Sequence, residues 1–474
     1  MIFLMASFSQ DFFQKYKIEI IIFGIALSVR LIALFFALYN HGEGILYLSD
    51  SGGFIDMARS IVSGMGFSRD GGLTPHVLFV PGYPFFLAVS MFLFGSFWPA
   101  LIAQIFLSSL VSVIILRIGR ILEFSPKINL AGALLSALEP HLVIFSIVYM
   151  TEALYGFLFM AGVLFFARIM KSGLTANILL SSISLGLAAY VKVSNYLVFL
   201  YLAAIIFYLR LIRADTKKVF TAAVIFLSVF IAMIFPWFLR NYYHFGLWQM
   251  SSHEAYNLYV YDGASILSLR DGISYEEGKK IRIDSWKEET GTDIIVVASN
   301  LNLAEVMQKK GVEFAVQNLG STMKLAILTT ISFWSSHNYS YFLTYFFTVL
   351  EKPVYIIPPT QLLFQGKIGE AFYGTLKFIA APYYLVSLGG KILRLILAMS
   401  AVLGIWTLYK SGDYSQKSFA VLAGLIFVYY TVMAFGAGFG IEGRVRYPIE
   451  PLIMLAAVVG LSRSKIIRKI ITQN

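Results

Sequence analysis

Residues 18–39 read IEIIIFGIALSVRLIALFFALY, an apolar run long enough for the ~20 residues of one helical membrane crossing. Lys15 and Lys17 stand just before it. The preceding MIFLMASFSQDFFQKYK carries its positive charge after its first apolar patch, the reverse of a cleavable signal peptide. The run therefore reads as an uncleaved first span. Further apolar runs occupy 98–116, 128–148, 153–167, 174–191, 196–209, 219–239, 380–409, 418–438 and 448–462. Basic residues punctuate alternate ends: Arg117, Arg120 and Lys127; Arg168 and Lys171; Arg210, Arg213, Lys217 and Lys218; Lys410 and Lys417; and Arg463, Lys465, Arg468 and Lys469. With about ten spans, these clusters all fall on one face, which the positive-inside trend makes cytoplasmic.

Composition agrees. The 474 residues are 58% hydrophobic and 13% charged, about half the charge of a soluble domain. The net charge of +11 resides mostly in those short inter-span clusters. No basic stripe interleaved with aromatics is present, so a nucleic-acid partner is not expected. Cysteine is absent, which excludes disulfides, thiolate catalysis and Cys-based metal sites. The expected fold is an all-α polytopic membrane protein in three parts. Residues 1–240 form an N-terminal transmembrane module with a first external loop at 40–97. Residues 241–379 form an external region, and 380–474 hold the C-terminal transmembrane helices.

The external connections are the long ones, and they hold most of the Asp, Glu and His. Asp50–Gly64 places Phe54, Ile55, Ala58, Ile61 and Val62 on one helical face, and Gly82–Gly95 is too short to span, so both read as interfacial helices. Ser274 to Glu277 forms a capping box that opens a helix, and 303–317 reads as a second. The aromatic stretch FWSSHNYSYFLTYFF, within 321–379, reads as interfacial or re-entrant.

Asp50 follows the first span in SDSGGF. It suits a helix N-cap and equally a general base at the membrane surface, accepting a proton from an incoming hydroxyl or amine. Glu152 opens the fourth apolar run, where the helix dipole favours a carboxylate; it is also the natural second acid of a site. Glu139 is a weaker candidate, and Asp56 reads as solvated. Lys192, Arg240, Arg444 and Arg446 lie on the external side against the positive-inside trend. They either snorkel to lipid phosphates or together grip a substrate phosphate, Arg with bidentate contacts. Arg30 lies inside the first span, where charge is costly and points to function; it faces a polar cavity or pairs with Glu139 or Glu152. His76, His141, His253 and His337 are external with no metal-ligand spacing, which suits structural or substrate-contacting roles.

Four segments carry a family resemblance. The first is Asp50, Phe54 and Ala58 followed by Gly64-Met-Gly66-Phe67. The second is Pro81-Gly82-Tyr83-Pro84-Phe85-Phe86-Leu87-Ala88 with Phe94-Gly95. The third is Glu139-Pro140 with Thr151-Glu152-Ala153-Leu154. The fourth joins Pro236-Trp237, Arg240-Asn241-Tyr242 and Phe245-Gly246 with Arg446-Tyr447-Pro448-Ile449 and Pro451. In these the chain resembles the polytopic GT-C glycosyltransferases, in particular the bacterial and archaeal relatives of protein O-mannosyltransferases and of the lipid A aminoarabinose transferase.

The resemblance implies a prokaryotic cytoplasmic-membrane enzyme with its active site facing the exterior. Its donor is a polyprenyl-phosphate sugar, and its acceptor is a glycolipid, polysaccharide or protein. Asp50 matches the catalytic acid of the first loop and Glu152 the acid of the second. Arg240, Arg446 and Arg444 match positions near the lipid phosphate; Arg30, Tyr83 and Lys192 complete the candidate substrate- and phosphate-binding set. A divalent metal ion is left open. Gly52 and Gly53 follow Asp50 where family members often carry further acids. A separate soluble C-terminal domain is not seen, so transfer of a preassembled oligosaccharide to sequons is not expected. Two other classes compete: a flippase of lipid-linked sugars, which calls for polar residues deep in several spans and paired halves, and an O-antigen polymerase or ligase, whose large external loop lies late in the chain. Only Arg30 meets the first expectation, and no internal repeat is present.

Overall fold

The computed structural model describes residues 2–48, 50–171, 174–194, 196–337, 339, 345–346, 359–379, 382–439 and 442–462. Every regular element among them is helical. The first half runs α1 (Ile2–His41), α2 (Ser51–Val62), α3 (Gly82–Phe94), α4 (Trp98–Ile121), α5 (Pro126–Leu138), α6 (Pro140–Ile144), α7 (Glu152–Ile169), α8 (Leu174–Val191), α9 (Leu197–Leu211) and α10 (Thr216–Phe245). Then come α11 (His253–Tyr256), a π-helical turn at Asn257–Asp262, α12 (Gly263–Asp271), α13 (Tyr275–Thr290), α14 (Leu301–Gln317) and α15 (Leu319–Ser335). The chain closes with α16 (Pro359–Phe364), α17 (Ile368–Ile379), α18 (Pro382–Ser411), α19 (Tyr414–Met433), α20 (Glu442–Arg446) and α21 (Glu450–Leu461).

Six helices are long and apolar enough to cross a membrane: α1 from Gln14, α4, α7, α10, α18 from Leu385, and α19. They correspond to six of the ten expected runs. The best apolar windows of α4 and α7 are 67% and 72% buried, against 22% for α10, so α4 and α7 form the centre. Helices α1, α10 and α18 turn apolar side chains such as Phe35, Ile231 and Leu403 outward, as lipid-facing helices must. Of the other four runs, 174–191 and 196–209 become α8 and α9, of 18 and 15 residues, and the last becomes α21, whose 12 residues are short of a full crossing. The run 128–148 breaks into α5 and α6. Pro140 has no N–H and disfavours helical geometry at the residue before it. Glu139 is accordingly extended (φ −63°, ψ 118°), and its carboxylate caps α6 by accepting from Leu142 N at 2.9 Å.

At the basic end Ser125, Asp215 and Asp413 cap α5, α10 and α19, as short polar residues before apolar runs do. At the opposite end a further layer has its own core of Val77, Tyr259, Val260, Trp286, Leu301 and Met307. Val77 comes from the first loop, and its amide donates to Ala298 O at 2.7 Å while its carbonyl accepts from Ser252 N. The first loop and the 241–320 region therefore fold as one layer. Ser274 caps its helix as expected, its Oγ accepting from Glu277 N, and the second helix of this layer begins at Leu301. Of the stretch FWSSHNYSYFLTYFF, most of 338–347 lies outside the described residues, as does the cluster from Arg463 to Lys469.

Candidate active site

The two acids meet because their loops are stapled. Tyr149 N donates to Leu46 O at 2.9 Å, and Ser51 Oγ donates to Tyr149 O at 2.8 Å. This ties the start of α2 to the segment leading into α7, bringing Asp50 beside Glu152. Asp50 stands at the N-cap of α2, yet its side chain makes no cap hydrogen bond. Its Oδ2 instead accepts from Arg444 Nη1 at 2.8 Å. Arg444 Nε donates to Glu152 Oε1, so one guanidinium bridges both acids. Lys192 Nζ lies 3.4 Å from the same Glu152 oxygen. Gly82 sets Lys192 in place: a methyl group there would stand 2.6 Å from the Tyr190 carbonyl, so only glycine lets α3 approach the end of α8 this closely. Glu152 is fully buried, whereas Asp50 and Lys192 keep about a third of their side chains exposed.

Charges in this cluster balance, two acids against two bases. Burial works against the Arg444 charge, but Glu152 and Asp50 outweigh it and hold its pKa above the usual arginine value. Burial lowers the Lys192 pKa, with Glu152 opposing. His253 lies in the field of Asp50, Arg444 and Lys192; burial takes its pKa down to about 4, so it is neutral at pH 7. Its ring also neighbours Phe79, 6.4 Å away between centroids.

The remaining predicted residues sit elsewhere. Tyr83 is buried and donates to Gln104 Oε1 at 2.9 Å, while Gln104 binds the carbonyls of Ser146 and Val148. Arg240 donates to His76 O at 3.1 Å and Asn241 Oδ1 at 2.7 Å, and lies 4.7 Å over the Trp237 ring. It has no carboxylate partner among the described residues, and it lines an open cavity of about 830 Å³ with Pro236, Leu239, Tyr242, Tyr243 and His244. Arg30 makes no ion pair with Glu139 or Glu152, although it lies in the field of Glu139; it donates to Ser108 Oγ at 3.0 Å and to the carbonyls of Ala26 and Ala137. Asp56 is half exposed between Arg59 and Arg69, as solvation requires.

Arg446 belongs to a second, fully buried network. Its Nε donates to Glu450 Oε1 at 2.6 Å. Arg394 joins Glu450 Oε2 at 2.7 Å to Glu139 Oε1 at 2.5 Å, and His141 Nδ1 lies 3.6 Å from Glu450. Intramembrane charge is therefore not confined to Arg30. Arg394 interrupts the apolar ILRLIL and Glu450 the apolar PIEPLIM; the rule that singled out Arg30 applies equally to both.

Among the described residues no group of three or more His, Asp or Glu converges as a metal site, and Arg444 is bonded to one oxygen each of Asp50 and Glu152.

No protein-family model matches the sequence, and no curated protein sequence matches it. Solved structures do. The Archaeoglobus fulgidus oligosaccharyltransferase in complex with zinc and sulfate aligns over 92% of this chain and 48% of its own, at 12% identity and a TM-score of 0.46. The oligosaccharyltransferase AglB of the same archaeon, with an inhibitory peptide and a dolichol-phosphate, aligns over 95% and 50% at 14% identity and a TM-score of 0.45. ArnT from Cupriavidus metallidurans bound to undecaprenyl phosphate aligns over 91% and 78% at 13% identity and a TM-score of 0.41. The chain thus spans about half the length of the archaeal enzymes.

Proposed function

We propose that this protein is an inverting glycosyltransferase that moves a sugar from a polyprenyl phosphate to an acceptor on the external side of the membrane. The observation that carries the reading is the convergence of Asp50, Glu152, Arg444 and Lys192 from four separate segments at the end of the bundle opposite the basic clusters. Asp50 is the base. Its Oδ2 is held by Arg444 and its Oδ1 has no partner among the described residues, leaving one oxygen to take the acceptor's proton. As the O–H bond breaks, the acceptor oxygen attacks the anomeric carbon. The bond from that carbon to the phosphate oxygen breaks, and the lipid phosphate leaves with the electron pair. A sugar–phosphate bond is already activated, so no acid needs to protonate the leaving oxygen, unlike glycoside hydrolysis. Arg444 and Lys192 stabilise the charge growing on the phosphate, and Arg240, free of acids, meets the lipid in its open cavity. Tyr83, Arg30 and Arg446 support the site from within the protein.

The test is transfer from a polyprenyl-monophosphate sugar in proteoliposomes. Asp50→Asn lowers the rate by at least the ~10²–10⁴ a general base supplies, while the protein still folds. A wild-type rate in that variant overturns the assignment of Asp50. Activity restricted to a pyrophosphate donor favours a polymerase or ligase, and sugar-lipid flux without a glycosidic product favours a flippase.

A further inference from the structure

Arg444 reaches the acids from a segment pinned on both sides. On its C-terminal side Arg446 is locked to Glu450, with its Nη1 3.4 Å from Ser336 Oγ. On its N-terminal side Gly438 is buried, and its amide donates to Asp262 Oδ1 at 3.0 Å. Gly438 is required there twice over. Its φ of +63° is left-handed, and a side chain would stand 3.1 Å from Tyr261 Cβ.

Asp262 closes the π-helical turn Asn257–Asp262 of the further layer and is 5% exposed. It has no cationic partner among the described residues. A buried polar side chain is costly unless hydrogen-bonded, and the partner of Asp262 among the described residues is the Gly438 amide. Tyr261, its neighbour, lies in the field of both Asp50 and Arg444. This contact therefore joins the further layer to the catalytic cluster.

We infer that Asp262 is a positioning residue for Arg444: by holding Gly438 it anchors the chain six residues before the guanidinium that meets Asp50 and Glu152. The inference rests on the proposed role of that cluster, but its first readout does not depend on activity.

Trypsin cleavage after Arg444 is followed in the full chain in detergent. Asp262→Leu keeps the branched shape, with two bulkier methyl groups in place of the oxygens, and removes the acceptor; Asp262→Asn keeps an acceptor oxygen. Wild type and the Asn variant resist cleavage, whereas the Leu variant is cut about tenfold faster, the scale of one lost buried hydrogen bond. Transfer falls by a similar factor in the Leu variant, is rescued by Asn, and falls no further when Asp262→Leu is added to Arg444→Ala. Should the Leu variant not fold, Gly438→Ala breaks the same contact from the other side and gives the same faster cleavage. Unchanged cleavage in a folded Leu or Ala variant overturns the inference. So does a loss of transfer that persists undiminished in the Arg444→Ala background. If wild type shows no transfer, the proposed function fails while the cleavage comparison still decides the positioning.

Discussion

Replacing Arg394 with Met is the most demanding test of the buried network. Met matches the length of the aliphatic stem, so the change removes two charge-assisted contacts, 2.5 Å to Glu139 and 2.7 Å to Glu450, with little change in packing. Glu450 keeps Arg446, but Glu139 keeps only the amide of Leu142. Breaking a buried pair by removing one partner costs ~3–5 kcal/mol, because a charge is left uncompensated. Arg394→Met is expected to be destabilised by about that amount in denaturant or SDS titrations followed by circular dichroism. Glu139→Gln added to it removes the stranded charge and returns at least ~1 kcal/mol. A single mutant within ~1 kcal/mol of wild type, or a double mutant whose costs simply add, refutes the reading of this network as a mutually compensating unit.

Arg444→Ala strands Asp50 and leaves Glu152 with Lys192 and the Thr151 hydroxyl, and should cost ~10²-fold in transfer; Arg444→Lys recovers only part, since a single ammonium does not replace a two-pronged bridge. Gly82→Ala drives a methyl group into the Tyr190 carbonyl and should destabilise by ~1–3 kcal/mol in thermal melts. For pH dependence, burial pushes the Asp262 carboxyl up to about 8. Between its unfolded value of ~4 and 8 the folded state binds a proton that the unfolded state has lost, so this group's contribution worsens as pH rises and is constant above about 8. Melting temperatures of Asp262→Asn should gain on wild type from pH 4 to 8 and hold that gain beyond; a gap independent of pH contradicts the assignment.

Much of this architecture was legible in the sequence because lipid enforces simple rules. Apolar runs located the six helices long and apolar enough to cross, and the cap at Ser274 predicted its helix correctly. Less was legible where short-range chemistry competes with the pattern. Pro140 split an apolar run that hydropathy alone reads as continuous, and α9 and α21, at 15 and 12 residues, are shorter than a full crossing. At the site, Asp50, Glu152, Lys192 and Arg444 were each identifiable as polar residues at span ends. Their convergence was not, since it depends on the Leu46–Tyr149–Ser51 staple, which has no sequence signal. Asp50 was expected to cap α2 whatever else it did, but Arg444 competes for its carboxylate and wins. Arg446 looked like a companion of Arg444 two residues away, yet it turns toward Glu450 and the protein interior.

The balance of charge in the Asp50–Glu152–Arg444–Lys192 cluster has an electrical consequence. On the proposed reaction, the donor phosphodiester brings one negative charge to a neutral site. During transfer the phosphate gains a second negative charge while Asp50 becomes neutral by taking the acceptor's proton. The sum over site and ligands is the same before and after the chemical step. That step moves charge only across the width of the site, so it carries no current through the bilayer, and the membrane potential should neither drive nor brake it.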